Sequence, residues 1–347
     1  MTRRRAAFAI PGDITTATGG FIYERRLLEA LRHEGHDVTH LRLGTSFPDP
    51  DAEDTADAVE QLQDLAPDRV VILDGFVSAT LDTEALAALH VPSVAMVHHP
   101  LALEVGLESE RRDHLFRHER ANLARIDHVF VPSPATAEVL TRSYDVAADR
   151  ITVLRPGAHR PTGPRAPVAP PLILSVGILH PRKGHDVLLT ALARITHLDW
   201  TAVIAGKSHD ADHAAALDRL HADLGLGGRV RIAGYLSDAD LSALYWQAAV
   251  FALATRYEGY GLVFDEALAH GLPIVSCRAG AVPDTVPTAA GHLVAPEDDA
   301  AFADALAGLL TDTAAYRRCA EAAEAAGRAL PTWADTARTA GAVLDRL

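Results

Sequence analysis

Glu258-Gly259-Tyr260-Gly261-Leu262-Val263-Phe264-Asp265-Glu266 lies between two short apolar runs, Val250–Leu253 and Ile274–Cys277. The order implied is strand, glycine-rich turn, helix, strand. The helix is predicted from Tyr260 to His270, with Gly271 at the left-handed position just past its end. Two continuous apolar strands joined through a helix belong to a parallel sheet covered on both faces. The turn also has chemistry. Unpaired N–H groups at a helix start attract anions, because the donors and the dipole point outward together. Gly259 and Gly261 carry no side chain, so a diphosphate can come close. Glu266, one or two turns into the helix, is placed to accept hydrogen bonds from the vicinal hydroxyls of a ribose. Glu258, just outside it, is placed to take the hydroxyls of a sugar. On a bland reading the two acids decorate a capped surface helix. As a cluster they suit a ligand with phosphates flanked by polyols, which describes a nucleotide sugar.

The alternation continues in both directions. Upstream, strand candidates are Ala6–Ile10, Val38–Leu43, Arg69–Leu73, Ser93–His98 and His128–Val131. Between them lie helix candidates Gly20–His33, Glu84–Leu89, Ser109–Arg125 and Pro134–Arg142. Arg155 to Pro171 breaks the pattern with six prolines and two glycines, and reads as an interdomain linker. A second set follows: Leu172–Val176, His185–Ile195, Thr201–Ala205, Ala211–Leu224, Val230–Ala233 and Asp238–Gln247, then the opening stretch. The tail from Ala301 to Leu347 is alanine-rich and helical. Two Rossmann-like halves joined by a Pro-rich linker are expected, with ligands at the carboxyl ends of strands.

Composition sets bounds. The chain has 347 residues, 48% hydrophobic and 22% charged, enough for two cores. A net charge of −14 argues against a general nucleic-acid binder. No run of 18 apolar residues is present, so no spanning segment is expected. Arg3-Arg4-Arg5 precedes too short an apolar run for a signal peptide. Cys277 and Cys319 make neither a disulfide scaffold nor a metal motif, and a cytoplasmic protein is expected. The Glu110–Arg125 stretch interleaves five arginines with three acids, and reads as a solvated amphipathic helix with at most peripheral membrane contact.

Three patterns are set aside. Gly206-Lys207-Ser208 would need a glycine at 201 to complete a P-loop, and Thr201 stands there. Asp210-Ala211-Asp212 and Asp238-Ala239-Asp240 imitate a D-x-D metal motif but read as helix starts, Ser237 and Asp210 being the caps. Val97-His98-His99-Pro100 has no acid or thiol at a spacing that completes a zinc site, so no metal is expected.

Ser175 to His185 is the second informative segment, a strand followed by a turn with Arg182 and Lys183 before a helix. Taken alone these are two solvated basic residues. Two adjacent cations also suit a diphosphate leaving group, whose charge grows in the transition state.

Leu253 to Leu262 and Glu266 to Val275 closely resemble the E-x7-E signature of retaining GT-B glycosyltransferases of family 4, and Gly177 to Gly184 resembles the family's G-x-L…P-R-K-G phosphate site. The resemblance is strongest from Leu172 to Val294. It implies an α/β GT-B fold, two Rossmann-like domains facing across a cleft. Residues 1–155 would bind the acceptor and 172–330 the nucleotide sugar, with 156–171 as linker and a last helix, 331–347, crossing back to the N-terminal domain. It implies transfer of a hexose-type sugar, with retention and without metal or other cofactor, from a UDP- or GDP-type donor to a small-molecule, lipid or glycan hydroxyl. The catalytic set implied is Arg182, Lys183, Glu258 and His98, the last aligned by its strand in preference to His99. Substrate contacts implied are Gly19 and Gly20 in the N-terminal loop, Tyr235 near the base, and Gly259, Tyr260, Gly261, Leu262 and Glu266. The chain departs from the pattern at Ile178, where many relatives carry arginine, so Arg182 and Lys183 must supply the phosphate contacts. Val263 replaces a usual proline. An epimerase or phosphorylase of the same fold, or a non-catalytic nucleotide-sugar binder, stays open at this point.

Overall fold

The computed structural model describes residues 3–16, 18–163 and 165–347; Met1, Thr2, Ala17 in the N-terminal loop of Gly19 and Gly20, and Pro164 in the predicted linker lie outside the described residues. The chain forms two compact units, Met1–Gly157 with Pro331–Leu347, and Ala158–Leu330.

The first unit holds one parallel sheet of β1 (Arg5–Pro11), β2 (Val38–Leu43), β3 (Arg69–Asp74), β4 (Ser93–Met96), β5 (His128–Val131) and β6 (Ile151–Val153). The order is β2-β1-β3-β4-β5-β6. The winding reverses between β1 and β3, and a doubly wound sheet binds ligands at the carboxyl ends of such a pair. Because side chains alternate along a strand, both faces are apolar. Ala7, Ala9, Val71, Leu73, Ala95 and Val129 line one. Phe8, Ile10, Ile72, Val94, Met96 and Phe130 line the other. That second face is covered by Leu27, Leu28 and Leu31 of the first helix, Gly19–His33, and by Ala337, Ala340, Val343 and Leu344 of the last, Trp333–Leu344. The last helix is tied down by the Thr336 hydroxyl, which donates to the Arg155 carbonyl at 2.7 Å. Gly157 is required beneath it, since a Cβ there would lie 2.1 Å from the Trp333 nitrogen.

The second unit holds β7 (Leu172–Val176), β8 (Thr201–Ala205), β9 (Val230–Gly234), β10 (Ala248–Leu253), β11 (Ile274–Cys277) and β12 (Gly291–Val294). Its order, β12-β11-β10-β7-β8-β9, reverses between β7 and β10.

Periodicity alone does not reveal the helix Ala52–Gln63, because only Ala58 and Leu62 of it are buried. It also passes over β6 and β12, which have three and four residues. The Pro-rich segment is more than a spacer. From Ala158 onward it packs on the second unit, where the Arg165 guanidinium donates to the carbonyls of Gly271 at 3.0 Å and Ala248 at 2.7 Å. The helix read as solvated spans Ser109–Leu123, and one of its acids, Glu119, is buried and accepts from the Leu101 nitrogen at 3.1 Å. Among the described residues no helix is long and apolar enough to cross a membrane.

Candidate functional site

The site in the second unit is built on the two strands at its switch point. β7 runs into Gly177 and then a short turn, Pro181–Lys183. His180 caps that turn, its Nδ1 accepting from the Arg182 nitrogen at 3.2 Å. Gly184 follows in a left-handed conformation, φ +62°, and a Cβ there would meet the Ala254 carbonyl oxygen at 1.9 Å. Only glycine lets the turn after β7 press against the end of β10. From the other side, the Arg256 nitrogen donates to the Arg182 carbonyl at 2.8 Å. The Arg256 guanidinium also reaches Asp186 at 2.8 Å and Glu297 at 2.5 Å.

These contacts bring together residues 75 apart in sequence. The Lys183 ammonium donates to Glu258 Oε1 at 2.5 Å, and Arg182 Nη1 lies 3.6 Å from Oε2. The Thr255 hydroxyl lies 3.0 Å from Oε1. Glu258 is 4% exposed. Burial alone would raise its pKa, but Lys183 and Arg182 outweigh that and hold the carboxyl below the ordinary glutamate range. The Glu258 carbonyl is fixed as well, accepting from the Ala281 nitrogen at 2.8 Å beside Gly280, whose φ is +53°. A Cβ on Gly280 would lie 2.2 Å from that carbonyl oxygen.

The helix expected from Tyr260 starts later, at Leu262, and ends at Ala269. Gly261 caps it at φ +89°, a backbone state that excludes Tyr260 and Gly261 from the helix itself. The Tyr260 ring turns into the core, 6% exposed, and its hydroxyl donates to Asp265 Oδ2 at 2.5 Å. Its side chain therefore braces the turn. Glu266 reaches solvent, with Oε2 accepting from the Tyr245 hydroxyl at 2.7 Å. Partial desolvation of its carboxyl raises the Glu266 pKa, against the lowering effect of that hydrogen bond. Tyr235, after β9, is 65% exposed.

His98, Gly19 and Gly20 belong to the first unit. β4 ends at Met96, so His98 lies in the turn beyond it and not in the strand. A Cβ on Gly20 would sit 3.4 Å from His98 Cδ2, whereas one on Gly19 would meet nothing within 4 Å. His99 is engaged elsewhere, Nε2 at 2.7 Å from Glu104.

Sequence reading missed Thr255, Tyr245, Arg256 and Gly280 around this site, and Glu24 and Asp74 beside His98. Glu24 carried one usable signal, standing one helical turn after Gly20. A cavity of about 630 Å³ also exists in the second unit, lined by Arg160, Trp246, His270, Tyr316 and Arg317. It contains none of the residues expected to carry chemistry.

Residues 162–326 match the model of the glycosyl transferases group 1, and residues 17–159 that of glycosyltransferase family 4. The chain belongs to the group 1 glycosyltransferases. Among curated relatives, this group 1 transferase is 28% identical over 366 residues to a D-inositol 3-phosphate glycosyltransferase of Xylanimonas cellulosilytica, covering 90% of the chain and 88% of the relative. It is 32% identical over 218 residues to the corresponding protein of Corynebacterium efficiens, covering 57% of the chain and 51% of the relative. A glycogen synthase of Mycobacterium tuberculosis is 32% identical over 254 residues, covering 69% and 59%. The chain thus spans half to three fifths of the last two. In fold it is similar to sucrose-phosphate synthase of Thermosynechococcus elongatus, with TM-score 0.83, 24% identity and 98% of both chains covered. It is similar too to Anabaena HepE in complex with UDP and glucose, with TM-score 0.80, 19% identity, and 99% and 100% covered. Two six-stranded parallel sheets with flanking helices are the GT-B architecture.

Proposed function

We propose that this chain transfers a hexose-type sugar, with retention and without a metal, from a nucleoside-diphosphate sugar of the UDP or GDP type to a hydroxyl acceptor. The observation that supports this most is the meeting of Arg182, Lys183 and Glu258 at the carboxyl ends of β7 and β10, the strands that flank the switch point. Such a position suits a diphosphate. The two cations would stabilise it as it leaves, with the first N–H groups of the helix at Leu262 and Val263 assisting. In the free protein Lys183 is held by Glu258. A bound diphosphate would draw on the Lys183 donors, and the carboxylate released from them would turn to the hydroxyls of the sugar. Glu266 would take the ribose and the second unit the donor as a whole. The first unit would bind the acceptor, with His98 contacting a substrate hydroxyl.

Glu258 is a poor nucleophile here, since both of its oxygens already face cations. The step that fits is therefore a front-side exchange. The bond from sugar C1 to the diphosphate oxygen breaks while the bond from C1 to the acceptor oxygen forms on the same face. The acceptor's proton passes to the departing diphosphate oxygen, and the nucleoside diphosphate leaves.

Calorimetric titration with UDP, GDP and ADP, with EDTA present throughout, tests the donor site. Binding of one nucleotide is expected, and binding of none would overturn the reading. Product analysis with the matching nucleotide sugar then separates transfer from epimerisation or phosphorolysis, and the anomeric configuration of the product tests retention.

A further inference from the structure

At the other switch point, between β1 and β3, three side chains from separate elements meet. Glu24 comes from the first helix, Asp74 from the end of β3, and His98 from the turn after β4. Glu24 is 0% exposed and Asp74 5%. Glu24 Oε1 lies 3.4 Å from His98 Nε2. Asp74 accepts from the backbone nitrogens of Phe76 at 2.7 Å and Val77 at 3.4 Å. Its carboxyl is also within hydrogen-bonding reach of that of Glu24. Two carboxylates facing each other are all acceptor. Among the described residues, neither Glu24 oxygen nor His98 Nε2 has a hydrogen-bond partner while both acids are ionised. Orphaned buried acceptors are costly, and one proton shared between the two carboxyls removes the conflict.

The surroundings hold the ring as well. Tyr23 meets His98 nearly at right angles, 5.1 Å between centroids, and its hydroxyl is anchored on the Leu154 carbonyl at 2.8 Å. Gly20 leaves room for Cδ2. Gly75 lets β3 close on β4, since a Cβ there would lie 2.9 Å from the Met96 oxygen. The His98 side chain is 22% exposed although Nε2 is buried, so the exposed edge is the one carrying Nδ1. Among the described residues, no lysine or arginine acts on Glu24, Asp74 or His98. The titratable groups around it are Tyr23 and Glu24 on the first helix and Asp74 on β3, with His99 alongside, engaged with Glu104. Burial pushes Glu24 up to about 8, and burial together with Glu24 raises Asp74. Burial pushes His98 down to about 4, so its ring is neutral near pH 7 and must choose a tautomer.

We propose that Glu24 and Asp74 are positioning residues that act through His98: sharing one proton, they accept the Nε2–H of its ring and leave Nδ1 bare as an acceptor for a substrate hydroxyl. This rests on the reading of His98 as a substrate contact. Without the pair, either nitrogen could carry the proton. With it, the exposed edge can only accept.

Long-range 1H–15N spectra of the free, histidine-labelled protein near pH 7 test the proposal, with His98 assigned by its loss in His98→Gln. A single tautomer is expected, Nε2 protonated and Nδ1 bare. Glu24→Gln should keep it, because the amide oxygen can accept from Nε2–H while its nitrogen donates to Asp74. Glu24→Leu retains bulk but no acceptor, and should give a mixture of tautomers. An Nδ1–H ring or a mixture in the unaltered protein would overturn the proposal, as would an unchanged single tautomer in Glu24→Leu. If Glu24→Leu does not fold, the unaltered protein and Glu24→Gln still decide. The spectra need no donor, so their failure is distinct from failure of the transferase reading. The single tautomer in a protein that binds no nucleotide would uphold the pair and overturn only the proposed function.

Discussion

Glu258 in the second unit and Glu24 in the first are both buried acids beside a switch point, and they end in opposite charge states. Glu258 is flanked by Lys183 and Arg182 and stays ionised. Glu24 is flanked by Asp74 and His98, burial raises it, and it keeps a proton near pH 7. Burial pushes both the same way. The partner decides the sign: Lys183 and Arg182 outweigh desolvation at Glu258, whereas the hydrogen bond to Asp74 lowers Glu24 too little to offset its burial. One unit thus presents a charged, ion-paired floor and the other a neutral hydrogen-bonding one.

The largest effect that would test this contrast is at Lys183. Lys183→Met should lower turnover about 100- to 1000-fold if the residue stabilises the leaving group. It should also lower stability by about 3 kcal/mol or more, since Glu258 loses its nearest cation while buried. The motif alone suggests a loss of turnover without much loss of folding; the 2.5 Å ion pair adds the second cost. Lys183→Met with Glu258→Gln should recover stability and not activity. Denaturant unfolding and turnover, measured together, check both. A fully stable single variant would mean that the pair contributes nothing to folding.

The next effect concerns pH. Glu24 is raised in the folded protein, so its stabilising contribution is fully present below the unfolded value of about 4.5 and fades as pH rises through about 8. Glu119, also in the first unit and also pushed up to about 8 by burial, behaves likewise. Glu258 has the reverse sign: its contribution is present above the unfolded value and is lost as pH falls through its lowered folded value. Raising pH from about 6 to 9 should therefore cost the first unit on the order of a few kcal/mol, and Glu24→Gln should remove part of that slope. Acid below about pH 4 should weaken the second unit. Hydrogen exchange followed unit by unit would separate the two, and equal alkaline losses in both would break the contrast.

Smaller effects sharpen it within the second unit. Glu266→Ala should weaken nucleotide binding by about 1–3 kcal/mol, the worth of a charged hydrogen bond, as read by calorimetry. Tyr245→Phe, which removes only the hydroxyl that orients Glu266, should cost about 1 kcal/mol or less in the same titration. Tyr235→Ala should leave stability within about 0.5 kcal/mol, because the ring is exposed, so any change in nucleotide affinity would report a contact with the ligand.

The sequence by itself determined what depends on short stretches of chain. Apolar runs spaced by helical patterns specify two doubly covered parallel sheets, since alternation and helix length are local properties. Gly184, Gly261 and Gly271 punctuate turns whose left-handed backbone needs glycine, and each is legible where it stands. The paired cations and the two acids were visible as motifs. What only the tertiary structure decided is who meets whom. Strand order puts the turn after β7 against the end of β10, so Lys183 meets Glu258 across 75 residues. The same logic sets Glu24 against Asp74 and His98, three residues whose spacings carry no period. It also turned the Tyr260 side chain into the core, where it holds Asp265. A side chain's charge state follows from its neighbours and its distance from water. Both are properties of the packed sheet ends, set by contacts far apart in the chain.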